Sequence, residues 1–188
     1  MTYAPNALRR KLSVAFALAA AVALTAPPAQ AAAAPGSGGI EPGGTTTGTV
    51  PGSTAQLVDG KAIPPADAPP RVVRAINAAN RIEEMPYVYG GGHGRWLDSG
   101  YDCSGAVSFA LGKYGARVLK APMPSGSFMR WEDPGPGTWI TTYANGGHMY
   151  AVIAGLRWDT SNTPGDGPGW SETGITTKGY SVRHPAGL

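Results

Sequence analysis

Cysteine is almost absent from this chain: Cys103 is the only one among 188 residues. A single cysteine excludes a disulfide framework within the chain and a zinc site built from several thiolates. Charged residues make up 14% and aromatic residues 9%, whereas the 28 glycines and 18 prolines account for roughly a quarter of the sequence. No apolar run has the length and position of a membrane span. We therefore expect one compact domain that is shorter than the full chain.

The first 31 residues have the three parts of an export signal. Three consecutive basic residues at 9–11 precede an apolar stretch at 12–26 that is rich in alanine and leucine. Ala29 and Ala31 are the small residues that a signal peptidase requires at its cleavage site. A membrane anchor is the alternative, but the many alanines make the apolar stretch weakly hydrophobic. We predict cleavage of residues 1–31, no stable membrane span afterwards, and a protein that is secreted, extracellular or associated with a cell wall.

The positive charge of the chain belongs mostly to this leader. The sequence has 15 basic and 12 acidic residues, and three of the basic ones are at positions 9–11. From residue 32 onward, twelve basic residues face twelve acidic ones. Because nucleic-acid binding requires clustered basic residues, and no basic run survives export, nucleic acid is excluded as a partner. Nothing in the sequence indicates an oligomer, so we expect a monomer.

Residues 32–70 have the composition of a flexible linker. Positions 35–70 contain eight glycines, seven prolines and only four charged residues. Such a segment buries too little apolar surface to offset its ordering entropy. The alternative is that Gln56–Val58 pairs with a strand of the folded domain.

Residues 71–188 form the predicted domain. Apolar residues recur at helical spacing over 71–84, and a second helix opens at Cys103. Strand-like patterns follow at 139–143, 148–154, 156–159 and 180–183, whereas the role of the tail 161–188 is left open. Helices followed by strands predict an α+β domain in which N-terminal helices pack on an antiparallel sheet.

Cys103 is the first candidate for chemistry. It follows Asp102 at the point where a glycine-rich loop becomes a helix. Helix N-termini carry partial positive charge and unpaired N–H groups, which favour thiolate over thiol. The alternative is a structural cysteine packed in the core. An oxidisable thiol is a liability in an exported protein unless it is used, so we interpret Cys103 as a nucleophile.

A thiol nucleophile requires a base, and the base requires an orienting group. His148 opens a strand-like run after a flexible Asn145-Gly-Gly turn, which favours it over His93 and His184, both interpreted as surface or packing residues. A tight turn near residue 155 would bring Asp159 beside His148. We expect Asp159 to accept the Nδ1–H of His148, with Asn145 and His184 as alternatives for this third position.

Three motifs in this order give the domain its resemblance to a known family. They are Pro86-Tyr87-Val88-Tyr89-Gly90-Gly91, Asp102-Cys103-Ser104-Gly105, and Gly147-His148 at the start of a strand. Together they resemble the NlpC family of bacterial cell-wall cysteine peptidases, whose fold is papain-like, over most of residues 71–188.

The resemblance implies a role for each matching residue. Cys103 would be the nucleophile, His148 the base, and Asp159 would stand near the third polar position. Tyr87, Asp102 and Ser104 would bind substrate at one end of the cleft, where a carboxylate can pair with a free stem-peptide amine. The implied partner is the peptidoglycan stem peptide, which is cut at an amide bond without metal or cofactor.

Two other functions use the same cleft. A peptidoglycan-binding module of this fold with little or no turnover would retain the cleft but release no product. An acyl transferase would pass the acyl group to an amine instead of water, and only analysis of its products distinguishes it from a hydrolase.

Overall fold

The computed structural model describes residues 48–161 and 163–188. The predicted signal sequence 1–31 and the first part of the predicted linker, 32–47, lie outside the described residues. The elements follow one another along the chain as β1 (Gln56–Val58), β2 (Lys61–Ile63), α1 (Pro70–Ile82), α2 (Cys103–Leu111), α3 (Ser125–Phe128), β3 (Asp133–Pro134), β4 (Ile140–Ala144), β5 (Met149–Ile153), β6 (Leu156–Asp159), β7 (Gly169–Ser171) and β8 (Ser181–His184).

The main sheet has six strands in the order β3-β8-β4-β5-β6-β7, and every neighbouring pair is antiparallel. Helices α1 and α2 pack on each other, and both contact β5. The fold is therefore α+β, as the order of helical and strand-like patterns predicts. The two predicted helices and the four predicted strands are all present; the strand 156–159 has the predicted ends, and the ends of the others differ by one to a few residues.

The core lies between the helices and one face of the sheet. All nine residues of α2 are buried, and α1 buries the apolar side whose spacing predicts it. Trp158 on β6 is fully buried, and its indole Nε1 donates to the carbonyl of Ala106 at 3.1 Å. This bond ties the first turn of α2 to the strand that ends at Asp159.

The structure differs from the linker prediction over residues 48–69. Strands β1 and β2 form a hairpin, so Gln56–Val58 pairs within this segment and not with the main sheet. Ala62 is fully buried, and its backbone N–H and carbonyl both bond to the side-chain amide of Asn80 on α1. The segment is ordered although its composition indicates disorder, because it buries small apolar side chains and bonds to the Asn80 amide.

The tail 161–188 supplies two strands of the main sheet, β7 at one edge and β8 between β3 and β4. The loop between them contacts β5, where the hydroxyl of Tyr150 donates to the carbonyl of Thr176 at 2.6 Å. Tyr150 also stacks on Tyr143 with ring centroids 4.6 Å apart. The tail therefore completes the sheet and contacts the strand that follows His148.

Candidate active site

Cys103 is the first residue of α2, as the sequence predicts. It is 8% exposed and lines a surface cleft of about 540 Å³. The residue before it, Asp102, caps the helix through a bond from the Gly105 backbone N–H to Oδ1, 2.8 Å long. The cap satisfies one of the first N–H groups of α2, and the first turn of a helix has further N–H groups that lack a partner within the helix.

Asp102 is almost fully buried and also holds the loop that forms one wall of the cleft. Its Oδ2 accepts from the Gly90 backbone N–H at 3.1 Å, and its Oδ1 accepts from Ser104 Oγ at 3.1 Å. His93 Nε2 lies 3.0 Å from the same Oδ1 and 2.9 Å from Ser104 Oγ. One carboxylate thus joins the helix start to the glycine-rich loop.

Glycine permits the close approach of this loop to α2. A Cβ at Gly105 would collide with the carbonyl of Gly91, and a Cβ at Gly91 would collide with the carbonyl of Gly100. The loop can therefore lie directly against the helix start only because these positions have no side chain. This contact brings Tyr87, Tyr89 and His93 to the cleft.

His148 immediately precedes β5 and is held by the turn before it. Asn145 Oδ1 accepts from the backbone N–H of Gly147 at 2.9 Å and from that of His148 at 2.8 Å. Both Gly146 and Gly147 line the cleft beside Cys103. Asn145 therefore shapes the turn that presents His148 and is not the third polar residue at the ring.

Asp159 is the residue that contacts the His148 ring. A two-residue turn at Ala154 and Gly155, both with positive φ, pairs β5 with β6 so that Asp159 comes opposite the start of β5. Asp159 is fully buried, and its Oδ1 lies 3.0 Å from His148 Nε2. The second alternative, His184, lies on β8, which β4 separates from β5, and its Nδ1 bonds to the carbonyl of Gly135.

The nitrogen of His148 that faces Asp159 is Nε2 and not the Nδ1 predicted from the sequence. Asp159 and Ser161 both bond to Nε2, so Nδ1 is the ring nitrogen left for Cys103. The prediction is wrong on this point because chain order does not determine how the ring is turned. The orientation of the ring depends on its contacts with Asp159 of β6 and with Cys103 of α2.

The electrostatics of the three groups are coupled. Hydrogen bonds to Asp159 and then to Cys103 raise the pKa of His148 to about 9, although partial burial opposes this shift. Burial alone would raise the pKa of Asp159, but its bond to His148, the charge of His148 and bonds from Arg157 and Thr160 lower it on balance. At neutral pH the site therefore contains an imidazolium beside a carboxylate and a cysteine.

Two residues outside the predicted set, Arg157 and Ser161, contact this group. The Arg157 guanidinium bonds to Asp159 Oδ2 through Nε at 3.0 Å, and Ser161 Oγ donates to the same oxygen at 2.9 Å. Ser161 Oγ also lies 3.1 Å from His148 Nε2. An arginine two residues before the carboxylate on one strand shares its face, which is the only sequence pattern that points to it.

The predicted substrate residues all line the cleft. Tyr87 is 46% exposed, and the pKa of its phenol is raised by partial burial and then by the charges of Cys103 and Asp102. Ser104 and Asp102 form the floor next to Cys103. His93, interpreted from the sequence as a surface or packing residue, instead lies in this cleft and bonds to both of them. Residues 124–127 also line the cleft.

Among the residues that the structure describes, no three His, Cys, Asp or Glu side chains are grouped so that they could hold a metal ion. None of the helices in the same part of the chain is long and apolar enough to cross a membrane.

Comparison with known proteins finds no relative that assigns a role to these residues. No family model matches the chain, and no curated protein matches it.

Proposed function

We propose that this protein is a cysteine peptidase of the NlpC type, with a papain-like domain, that hydrolyses amide bonds in peptidoglycan stem peptides. The observation that carries the proposal is the grouping of Cys103 at a helix start, His148 against it, and buried Asp159 on the far nitrogen of the ring. A nucleophile, a base and an orienting group in this order are the requirements of covalent acyl transfer.

The first half of the reaction forms a thioester. The thiolate sulfur of Cys103 attacks the carbonyl carbon, and the C=O electron pair moves to oxygen. Backbone N–H groups at the first turn of α2 are placed to stabilise this oxyanion. As the C–N bond breaks, the His148 imidazolium gives its proton to the leaving nitrogen, which departs as an amine.

The second half returns the enzyme to its starting state. Neutral His148 takes a proton from water, whose oxygen attacks the thioester carbon, and the C–S bond breaks to release the acid and the Cys103 thiolate. Asp159 holds the ring in one orientation through both halves and stabilises the imidazolium. The net reaction consumes one amide and one water and yields one acid and one amine. Because only protein groups take part, we expect activity to be unchanged by a chelator.

The substrate assignment depends on the floor of the cleft and on the motif resemblance. Asp102 places a buried carboxylate beside Cys103, where a substrate ammonium group is the natural partner. Tyr87 and Ser104 border the same position. A stem peptide with a free amine, or with the side-chain amine of a diamino acid, meets this requirement.

Digestion of purified sacculi and of soluble muropeptides tests the proposal. The parent protein is expected to release new amine termini, whereas Cys103→Ala and Cys103→Ser should release none while retaining the parent's thermal unfolding profile. Equal cleavage by the parent and Cys103→Ala would refute the mechanism. Binding to sacculi without product would indicate a binding module, and products extended by an added amine would indicate an acyl transferase.

A further inference from the structure

The carboxylate that orients His148 has a second cationic partner. Arg157 lies on β6 two residues before Asp159, and both side chains are buried. Its Nε donates to Asp159 Oδ2 at 3.0 Å, and its Nη2 contacts the same oxygen. Asp159 Oδ1 faces His148. His148 Nε2 also lies 3.3 Å from Oδ2, so the carboxylate is held between two cationic side chains, with Arg157 on Oδ2 and His148 nearer to Oδ1.

Arg157 is itself held from two other directions. Its Nη1 donates to the carbonyl of Gly174 in the loop between β7 and β8. Its guanidinium carbon lies 3.9 Å from the centroid of the Tyr150 ring, within cation–π distance. The guanidinium thus has one fixed orientation, and the carboxylate bonded to it is fixed as well.

We infer that Arg157 is a positioning residue that acts on His148 through Asp159: it fixes the carboxylate and takes up part of its negative charge, so that the imidazolium can still give up its proton. The inference rests on the proposed function, in which His148 protonates the leaving amine. It extends that function by adding a fourth group, supplied by the same strand and anchored by the tail of the domain.

When His148 gives up its proton, the Asp159 carboxylate loses the positive charge of the imidazolium beside it. With Arg157 in place, the buried Asp159 carboxylate still has a cation against it. Without Arg157, the same step would leave an uncompensated buried charge, which is strongly unfavourable. His148 would then hold its proton more tightly and become a weaker acid toward the leaving amine.

Of the other groups around these residues, only Cys103 adds a charge that acts on His148, and Cys103 is the same in the parent and in Arg157→Met. The His148 ring faces Cys103 from α2, Asp159 from β6 and the hydroxyl of Ser161. The Arg157 guanidinium faces Tyr150 from β5, and burial raises the pKa of that phenol, so it stays neutral where His148 titrates. The coupling therefore runs between Arg157, Asp159 and His148.

The test is an NMR titration of the His148 imidazole in the full chain, compared between the parent and Arg157→Met. In the parent we expect a midpoint at about 9. In Arg157→Met we expect the midpoint to move upward by roughly one pH unit, since the variant removes a cation that contacts the same carboxylate and nearby charges shift an ionisation by about one unit or more. Arg157→Lys should fall between the two, because it keeps the charge but loses the two-point contact.

Arg183 provides a matched control. It is a partly buried arginine on β8 whose Nε donates to the carbonyl of Met129 at 3.0 Å, and β8 does not pair with β6. Arg183→Gln should leave the His148 midpoint at the parent value. A midpoint in Arg157→Met that is unchanged, or lower than in the parent, would overturn the inference.

A second pair of variants, both carrying Asp159→Asn, tests the inference if Arg157→Met alone does not fold. Asp159→Asn and the double variant Arg157→Met, Asp159→Asn remove one or both members of the buried ion pair, and removal of both is usually better tolerated than removal of one. The His148 midpoints of these two variants should agree. A shift between them as large as that expected between the parent and Arg157→Met would show that Arg157 does not act through Asp159.

The titration requires no substrate. Failure to cleave peptidoglycan would therefore remove the proposed function and leave the titration result standing. An unchanged midpoint would remove the role of Arg157 and leave the peptidase proposal intact.

Discussion

The molecule contains two pairs of aspartate and histidine near one cysteine, and they are built differently. Asp159 is fully buried, bonds to Arg157 and contacts His148 at 3.0 Å. Asp102 caps α2 at the cleft floor and contacts His93, also at 3.0 Å. Distance and residue type are the same in both pairs, so the difference in role must come from the remaining contacts.

The two pairs differ in the contacts of their imidazole rings. In the inner pair, which is His148 with Asp159, Nε2 faces Asp159, and the other ring nitrogen is left for Cys103. In the outer pair, which is His93 with Asp102, the Nε2 of His93 contacts both Asp102 and Ser104. Each ring therefore meets one acid and one hydroxyl through Nε2, and what distinguishes His148 is its additional contact with Cys103. In the proposed mechanism the inner pair serves catalysis, whereas the outer pair serves binding and caps the helix.

The largest difference between the two pairs should appear when their histidines are replaced. His148→Ala is expected to lower kcat/KM on a muropeptide by about 10³-fold or more, because proton transfer to the leaving amine is lost. His93→Ala should change kcat/KM by less than about tenfold, mainly through KM. Steady-state release of amine measures both. Comparable losses in kcat for the two variants would show that the pairs are not functionally distinct.

The second largest difference should be between the kinetic effects of replacing the two aspartates. Asp159→Asn is expected to lower kcat by about 10²-fold and to return the His148 midpoint toward its ordinary 6.5. Asp102→Asn should keep kcat and raise KM, since asparagine still caps a helix but no longer attracts an ammonium group. Kinetics at several substrate concentrations distinguishes the outcomes.

Helix capping gives the outer aspartate a stability effect of its own. Asp102→Ala should lower the free energy of unfolding by about 1 kcal/mol, as loss of an N-cap does. Urea titration measures this, with Asp102→Asn as the matched control that should unfold close to the parent. If both variants unfold like the parent, Asp102 does not cap α2 in solution.

The inner pair also predicts a dependence on pH. The pKa of His148 is raised from 6.5 to about 9. Its charged form therefore stabilises the fold fully below pH 6.5, and this contribution is lost as the pH rises through about 9. The value of kcat should fall over the same alkaline range, because the imidazolium is the acid. Denaturant titrations and rates between pH 6 and 10 measure both, and in Asp159→Asn the decline should move to lower pH.

The smallest effects should come from the serines of the two pairs. Ser161→Ala removes one bond to His148 and one to Asp159, and is expected to lower kcat about fivefold. Ser104→Ala should change KM by a similar factor. If Ser104→Ala were instead as inactive as Cys103→Ser, the hydroxyl would be implicated in the chemistry and the assignment of the outer pair to binding would be wrong.

The sequence predicts much of this arrangement because the relevant patterns are local. The helix start at Cys103, the strand after His148 and the turn at Gly155 follow from capping, alternation and turn chemistry. The contact between His148 and Asp159 then follows from antiparallel pairing of two adjacent strands. These steps need no knowledge of distant parts of the chain.

The parts that sequence alone misses depend on distant packing. The hairpin at Gln56–Ile63 has the composition of a linker, and Asn80 on α1 orders it. His93 lies at the cleft because glycines let its loop approach α2. The choice of Nε2 over Nδ1 depends on which elements lie on either side of the ring. None of these is encoded in a local pattern.

The reactivity of the single cysteine tests the central claim most directly. Because the chain has one thiol, uptake of iodoacetamide at pH 7, followed by intact-mass spectrometry, reports on Cys103 alone. If His148 activates the sulfur, the parent should take up one adduct at least about tenfold faster than His148→Ala, while His93→Ala keeps the parent rate. Equal rates in the parent and His148→Ala, or no reaction in either, would contradict a nucleophile activated by His148.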